Sequence, residues 1–337
     1  MKKGKKFYNN PKQIVDQALE GLIAANGGMI KRLEGTNVVM VSELPPKKVG
    51  LLIGGGSGHE PLFSGFVGKN LADGAVSGNI FAAPTPDQIL AATQALDGGK
   101  GILYLYGNYS GDNLNFDIAA EMALDAGIVT KTVRIWDDVA SAPLERIDDR
   151  RGIAGDVFVI KIAGGAAAQL SDLESVYRVT CMARDYTRSM GVAVAAGFFP
   201  ETGEPTFELP DDEIEIGLGL HGEPGVSRSK MMTADEVTEK MLSRILPDLP
   251  FLESDEVCVL INNLGSTTMA ELLIINRRVH KILNEYGLKI FDTLIGTFCT
   301  SQEMAGFSIT LMKLDEELKE YYRLPVKSFG LTRGVIA

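Results

Sequence analysis

Residues 47–61 read KKVGLLIGGGSGHEP. A basic pair leads into the apolar run Val49–Ile53, which has the length and branched side chains of a buried strand and stops at a glycine cluster. Two more runs of this kind follow, GILYLY (Gly101–Tyr106) and KTVRIW (Lys131–Trp136), with a helical stretch from about Leu114 to Ala126 between them. Strand, helix and strand in that order predict a mainly parallel sheet covered by helices. Residues 154–190 predict helix, broken near Gly164–Gly165 and restarted at Ser171-Asp-Leu-Glu, which has capping-box spacing. A second set of strands begins at GVAVAAGFF (Gly191–Phe199) and continues through EIEIGLGL, VCVLIN, KIFDTLIGTF and GFSITLMKL. Helices at Ala234–Ile245 and Thr267–Tyr286 interrupt it, and a short acidic helix follows it. The expected fold class is α/β with two α/β domains. Residues 1–190 carry the mainly parallel sheet with flanking helices, and residues 191–337 a mixed sheet with helices.

Composition narrows the function. Of 337 residues, 45% are hydrophobic and 23% charged, which supports an ordinary globular core without staples. The net charge of −11 and the absence of a Lys/Arg cluster argue against wrapping a nucleic acid backbone. The basic opening MKKGKK leads into FYNNPKQ with no apolar stretch behind it, so no signal peptide is expected. The longest apolar stretch, near Gly191–Phe199, is far short of the roughly 20 residues that span a bilayer. Cys181, Cys258 and Cys299 are few and widely spaced, as in a reducing compartment. A cytoplasmic protein without membrane or nucleic acid contacts is the expectation. No Cys/His cluster has metal-ligand spacing, so no metal is expected in this chain.

Three loops carry candidate chemistry, each just after an expected strand. In GGGSGHEP (Gly54–Pro61), glycines leave backbone N–H groups open to a polar ligand, and His59 is placed to donate or to exchange a proton. This is neither a Walker loop nor a dinucleotide fingerprint. In NYSGD (Asn108–Asp112), Asp112 reads either as a helix N-cap or as a general base toward a hydroxyl. In GLGLHGEPG (Gly217–Gly225), His221 stands between small residues that leave its ring open. The plainer reading of the first and third loops is a tight turn with an incidental histidine. His280, in INRRVHKIL, reads as a helix-surface residue. Ser266 or Thr267 in NNLGSTT reads as a cap for the long helix, and the polar residues of GTFCTSQEMAGFSIT as caps or ligand contacts.

Taken in order and spacing, GGGSGHEP, NYSGDxxNF, GLHGEPG, NNLGST and GFSITL resemble the K subunit of dihydroxyacetone kinase. The resemblance runs from FYNNPKQIVDQALEGL to the last thirty residues. It implies a two-domain α/β protomer, normally a homodimer, that binds dihydroxyacetone or a related short ketose. It implies that His221 holds the ketose as a covalent hemiaminal, that His59 hydrogen-bonds it beside Gly56, Ser57 and Gly58, and that Asp112 is the base at the hydroxyl being phosphorylated. It implies no cofactor in this chain. ADP or ATP with Mg²⁺ would sit on an L-type subunit, recharged in some systems by a phosphotransferase-system phosphoprotein. Relatives fuse that L domain after the K domain, and since no such segment follows Ala337 the partner is expected to be a separate chain.

One position departs from the pattern. Many relatives have a lysine before NYxGD where this sequence has Gly107, which removes a charge and opens volume for a longer ketose such as erythrulose. The competing expectation is a catalytically silent paralogue that binds the ketose and works as a coactivator with a transcriptional regulator. Asp112 favours catalysis, because a sensor needs no base.

Overall fold

In the computed structural model, residues 4–45 and 47–334 are described; the first three residues of the MKKGKK opening lie outside them. The chain divides into two compact units, each assembled from separate stretches. Among the described residues, one holds Phe7–Ile135, Val157–Ala183 and residues 317–334; the other holds residues 4–6, Trp136–Asp156 and Arg184–Glu316. This division differs from the expected boundary at residue 190, which falls inside a strand. The chain leaves the first unit after its sixth strand and returns twice, a path that local periodicity does not record.

In the first unit, α1 (Ile14–Ala25), β1 (Ile30–Arg32) and β2 (Val38–Val41) precede β3 (Gly50–Ser57) and β4 (Gly74–Ile80). Then come α2 (Pro86–Leu96), β5 (Ile102–Gly107), α3 (Ser110–Asp125) and β6 (Thr130–Ile135). The six-stranded sheet has the order β1-β2-β4-β3-β5-β6. β3 is parallel to both β4 and β5, and β5 to β6, while β1 and β2 form an antiparallel edge. Leu51, Leu52, Ile53 and Ile102–Tyr106 are buried, as unbroken apolar runs require when helices cover a parallel sheet. The strand order reverses at β3, and His59 and Asp112 follow the carboxyl ends of β3 and β5, where open α/β sheets bind ligands.

The glycines of GGGSG are not the turn that their composition suggests. Gly54, Gly55 and Gly56 belong to β3, and only Gly58 takes a positive φ, of 104°. They are small because neighbours crowd the strand. A Cβ on Gly56 would stand 2.9 Å from the Ala82 amide nitrogen. The break expected at Gly164–Gly165 is likewise absent, since α4 (Asp156–Gln169) runs through it. A Cβ on Gly164 would lie 2.5 Å from the Asn70 carbonyl, so these glycines allow close packing within an intact helix. α5 (Leu173–Asp185) starts one residue later than the Ser171 spacing implied, and Asp172 accepts the Ser175 amide at 2.8 Å.

The second unit contains β7 (Thr187–Ala195), β8 (Glu213–Ile216), β9 (Ser227–Lys230), α6 (Ala234–Asp248), β10 (Glu256–Asn263), α7 (Met269–Glu285), β11 (Lys289–Gly296) and β12 (Ala305–Leu314). Its sheet, in the order β11-β10-β12-β7-β8-β9, has one parallel pair, β10 with β11, and is otherwise antiparallel. The mixed sheet is as expected. Leu242 and Ile245 of α6 and Leu272, Ile275 and Val279 of α7 join Val259, Ile261 and Ile309 of the sheet in one core. Both helices open with reciprocal capping boxes, Thr233 with Glu236 and Thr268 with Glu271. The long helix is therefore capped by Thr268, while Thr267 Oγ1 donates to the Gly306 carbonyl at 2.6 Å. Among the described residues, no helix is long and apolar enough to cross a membrane.

Candidate functional site

His59 sits just beyond β3 and is 4% exposed, its ring 5.1 Å from that of Phe81. Ser57 Oγ donates to the Gly78 carbonyl at 2.7 Å, and the Gly58 amide donates to the Glu60 carboxylate at 3.0 Å. The Phe81 amide donates to the Ser57 carbonyl at 2.8 Å, so the 78–82 turn lies directly against Gly56 and Ser57. The Ser57 hydroxyl therefore serves this turn. A cavity of about 280 Å³ opens beside the same strand, lined by Gly56, Ser57, Ser77 and the apolar face of α1; neither His59 nor Asp112 lines it.

Asp112 is the third residue of α3, buried in its first turn, and the N-cap is Tyr109. The N-cap reading of Asp112 is thus replaced by a place where the helix dipole favours an ionised carboxylate. Nearby, burial pushes the Tyr106 hydroxyl up to about 12, against the opposing pull of Arg134, and the Asp112 charge adds to the rise. Asn115 donates to the Pro84 carbonyl at 2.8 Å, so α3 and the strand glycines both border the 81–84 segment. Gly107, which ends β5, is buried and pairs with Ile135.

His221 lies in the other unit, in the loop between β8 and β9, with 26% of its side chain exposed. Glu223 clamps it from both sides. Glu223 Oε2 accepts the His221 amide at 2.9 Å, and Oε1 stands 2.9 Å from Nδ1. Burial works to raise the Glu223 carboxyl, but the hydrogen bonds and charge of His221 outweigh it and bring the pKa down to about 2. An ionised carboxylate only accepts, so the contact requires Nδ1 to donate, which leaves Nε2 as the nitrogen on the far side of the ring from Glu223. Ser301 Oγ donates to the Leu220 carbonyl and fixes the loop from the β11–β12 side.

The sequence did not single out Glu223, although it stands two residues from the histidine in HGEPG. The polar strand ends turned out to be braces: Asn262 Oδ1 accepts the Phe298 and Cys299 amides at 3.0 and 2.9 Å. His280 is half-buried rather than a plain surface residue, its Nε2 3.1 Å from Thr293 Oγ1, and burial lowers its pKa.

A family model described as the Dak1 domain matches residues 20–330. The chain belongs to the Dak1 domain family. It is 43% identical to the dihydroxyacetone-binding subunit of a phosphotransferase-dependent dihydroxyacetone kinase of Listeria innocua, covering 95% of this chain and 97% of that one. It is 37% identical to an L-erythrulose kinase of Pectobacterium atrosepticum, covering 97% of this chain and 56% of that one. Among solved structures, the dihydroxyacetone kinase of C. freundii superposes with a TM-score of 0.87 at 32% identity, over 99% of this chain and 62% of that one. A dihydroxyacetone kinase operon co-activator superposes with a TM-score of 0.88 at 28% identity, over 93% and 97%. The Dak1 relatives thus include kinases for two ketoses and a co-activator.

Proposed function

We propose that this Dak1 chain is the ketose-binding subunit of a short-chain ketose kinase, and that His221 holds the ketose as a hemiaminal. The observation that carries this is the His221–Glu223 pair. In the addition, Nε2 forms a bond to the carbonyl carbon and the C=O π pair moves to oxygen, which takes up a proton. That proton is the one Nδ1 gives up, so the adduct is neutral and Glu223 remains a carboxylate. A polyol such as glycerol has no carbonyl and is excluded by chemistry rather than by size. The anchored ketose then loses translational freedom, which favours attack by its terminal hydroxyl.

In this reading Asp112 accepts the proton of that hydroxyl, and His59 donates a hydrogen bond to the ketose beside Gly56, Ser57 and Gly58. The phosphoryl donor, exchangeable ATP with Mg²⁺ or a held ADP recharged by a phosphotransferase-system phosphoprotein, belongs to a separate L-type subunit. Gly107 supports a substrate range that includes a four-carbon ketose, since residue 107 itself brings no cationic side chain. A homodimer in the cytoplasm completes the proposal.

The test is ¹³C NMR of dihydroxyacetone labelled at its carbonyl carbon and mixed with the full chain. A protein-bound tetrahedral signal that disappears in His221→Ala is the expected result. A bound ketose that keeps its carbonyl signal would refute the hemiaminal.

A further inference from the structure

The loop carrying His221 is braced by Arg151, far from it in sequence. Arg151 Nη2 donates to Asp138 Oδ2 at 2.8 Å and to the Gly217 carbonyl at 3.1 Å, and Nε reaches the same Asp138 oxygen at 3.2 Å. Its Nη1 lies 4.0 Å from Glu223 Oε2, the oxygen that accepts the His221 amide. Asp138 is fully buried, and its other oxygen accepts the Ala140 amide at 3.0 Å. The base of this brace is thus fixed inside the unit, while the guanidinium, with 15% of the side chain exposed, reaches the loop.

The backbone of the loop is fitted to this arrangement. A Cβ on Gly219 would collide with the Glu223 carboxylate and would stand 2.6 Å from Arg151 Nη1. A methyl at this position would force one or both of these side-chain ends to move. Two other carboxylates of this unit are committed elsewhere: Glu215 pairs with Arg228 and accepts the Gly225 amide, and Asp137 accepts the Ile153 and Gly155 amides. At 4.0 Å the Arg151–Glu223 contact acts through charge rather than as a hydrogen bond. A planar fork can serve Asp138, Gly217 and Glu223 together, which an ammonium on a flexible stem does not reproduce.

We propose that Arg151 is a positioning residue for His221: anchored on Asp138, it fixes the 217–225 loop and holds the Glu223 carboxylate against Nδ1, so that Nε2 is the ring nitrogen that adds to a carbonyl. The effect on ketose capture rests on the hemiaminal reading above; the effect on the His221 tautomer does not.

The experiment uses the full-length chain with Arg151→Lys, and Gly219→Ala as a second variant that keeps every charge but drives a methyl between the two groups. ¹⁵N NMR of the His221 imidazole, without ligand, reports the tautomer, and the labelled-dihydroxyacetone signal reports the adduct. In both variants the tautomer is expected to shift from pure Nδ1–H toward a mixture, with adduct affinity down roughly tenfold or more. Added guanidinium is expected to restore part of both signals in Arg151→Gly. A folded Arg151→Lys or Gly219→Ala protein with the wild-type tautomer would overturn the role of Arg151. An adduct that survives His221→Ala would instead overturn the hemiaminal reading, and the tautomer result would then judge Arg151 on its own.

Discussion

Replacing Glu223 with Gln keeps the size of the side chain and removes its charge. One of the two atoms facing His221 then becomes an NH₂ group, which cannot accept from either Nδ1–H or the His221 amide. The fall of the Glu223 pKa from 4.5 to about 2 corresponds, at about 1.4 kcal/mol per pH unit, to roughly 3 kcal/mol. A third of the side chain is in water, so screening reduces this to about 1.5 kcal/mol. That is close to what a charge-assisted hydrogen bond contributes. Glu223→Gln is therefore expected to lower folding stability by about 1.5 kcal/mol at neutral pH, read from a urea unfolding midpoint, and to weaken the hemiaminal, measured by titrating labelled dihydroxyacetone and following the tetrahedral signal. The pH dependence has a definite sign. Because the folded pKa is depressed, the stabilisation by Glu223 is present above the unfolded value near 4.5 and is lost as pH falls through about 2. Wild-type adduct affinity in a folded Glu223→Gln protein would refute the reasoning.

Two further predictions concern the scaffold. Asp248 receives a bidentate pair from Arg150 at 2.7 and 2.6 Å and Arg188 Nε at 2.6 Å, with the two arginine side chains 1% and 4% exposed. Asp248→Ala leaves two buried cations without this partner and is expected to cost about 3–5 kcal/mol, read from a urea unfolding midpoint. Burial acts to raise the Asp248 carboxyl and the arginines lower it further, so this contribution is lost as pH falls through the depressed value. Gly56→Ala is expected to lose about 1–3 kcal/mol and to weaken ketose binding. Its new methyl would push on the Phe81–Ala82 backbone, and Phe81 packs against His59. Thermal melting and ligand titration check the two effects separately.

The strands were legible because burial on two faces leaves unbroken apolar runs such as Val49–Ile53, and α6 because its periodicity agrees with its cap. Glycines misled in two places. Gly54–Gly56 and Gly164–Gly165 look like interruptions, yet they stand inside a strand and a helix where another backbone, or at Gly55 the Phe63 ring, approaches too closely for a Cβ. The histidine loops were visible as His-Gly and His-Glu-Pro segments after strands. The brace behind His221 was not, because Arg151 is 13 residues from Asp138 and 66 from Gly217, and only the fold joins them. The discontinuous units were hidden for the same reason. A chain that returns to an earlier unit carries no local mark of doing so.

The central claim is that His221 captures a ketose and Asp112 prepares its hydroxyl for phosphorylation. The direct measurement is phosphorylation of dihydroxyacetone and of erythrulose by the chain combined with an L-type subunit, ATP and Mg²⁺, and separately with a phosphotransferase donor. Turnover with at least one ketose, lost in both His221→Ala and Asp112→Asn, is the predicted result. Ketose binding that depends on His221 with no turnover under either donor would contradict the kinase reading and favour a ligand-sensing role.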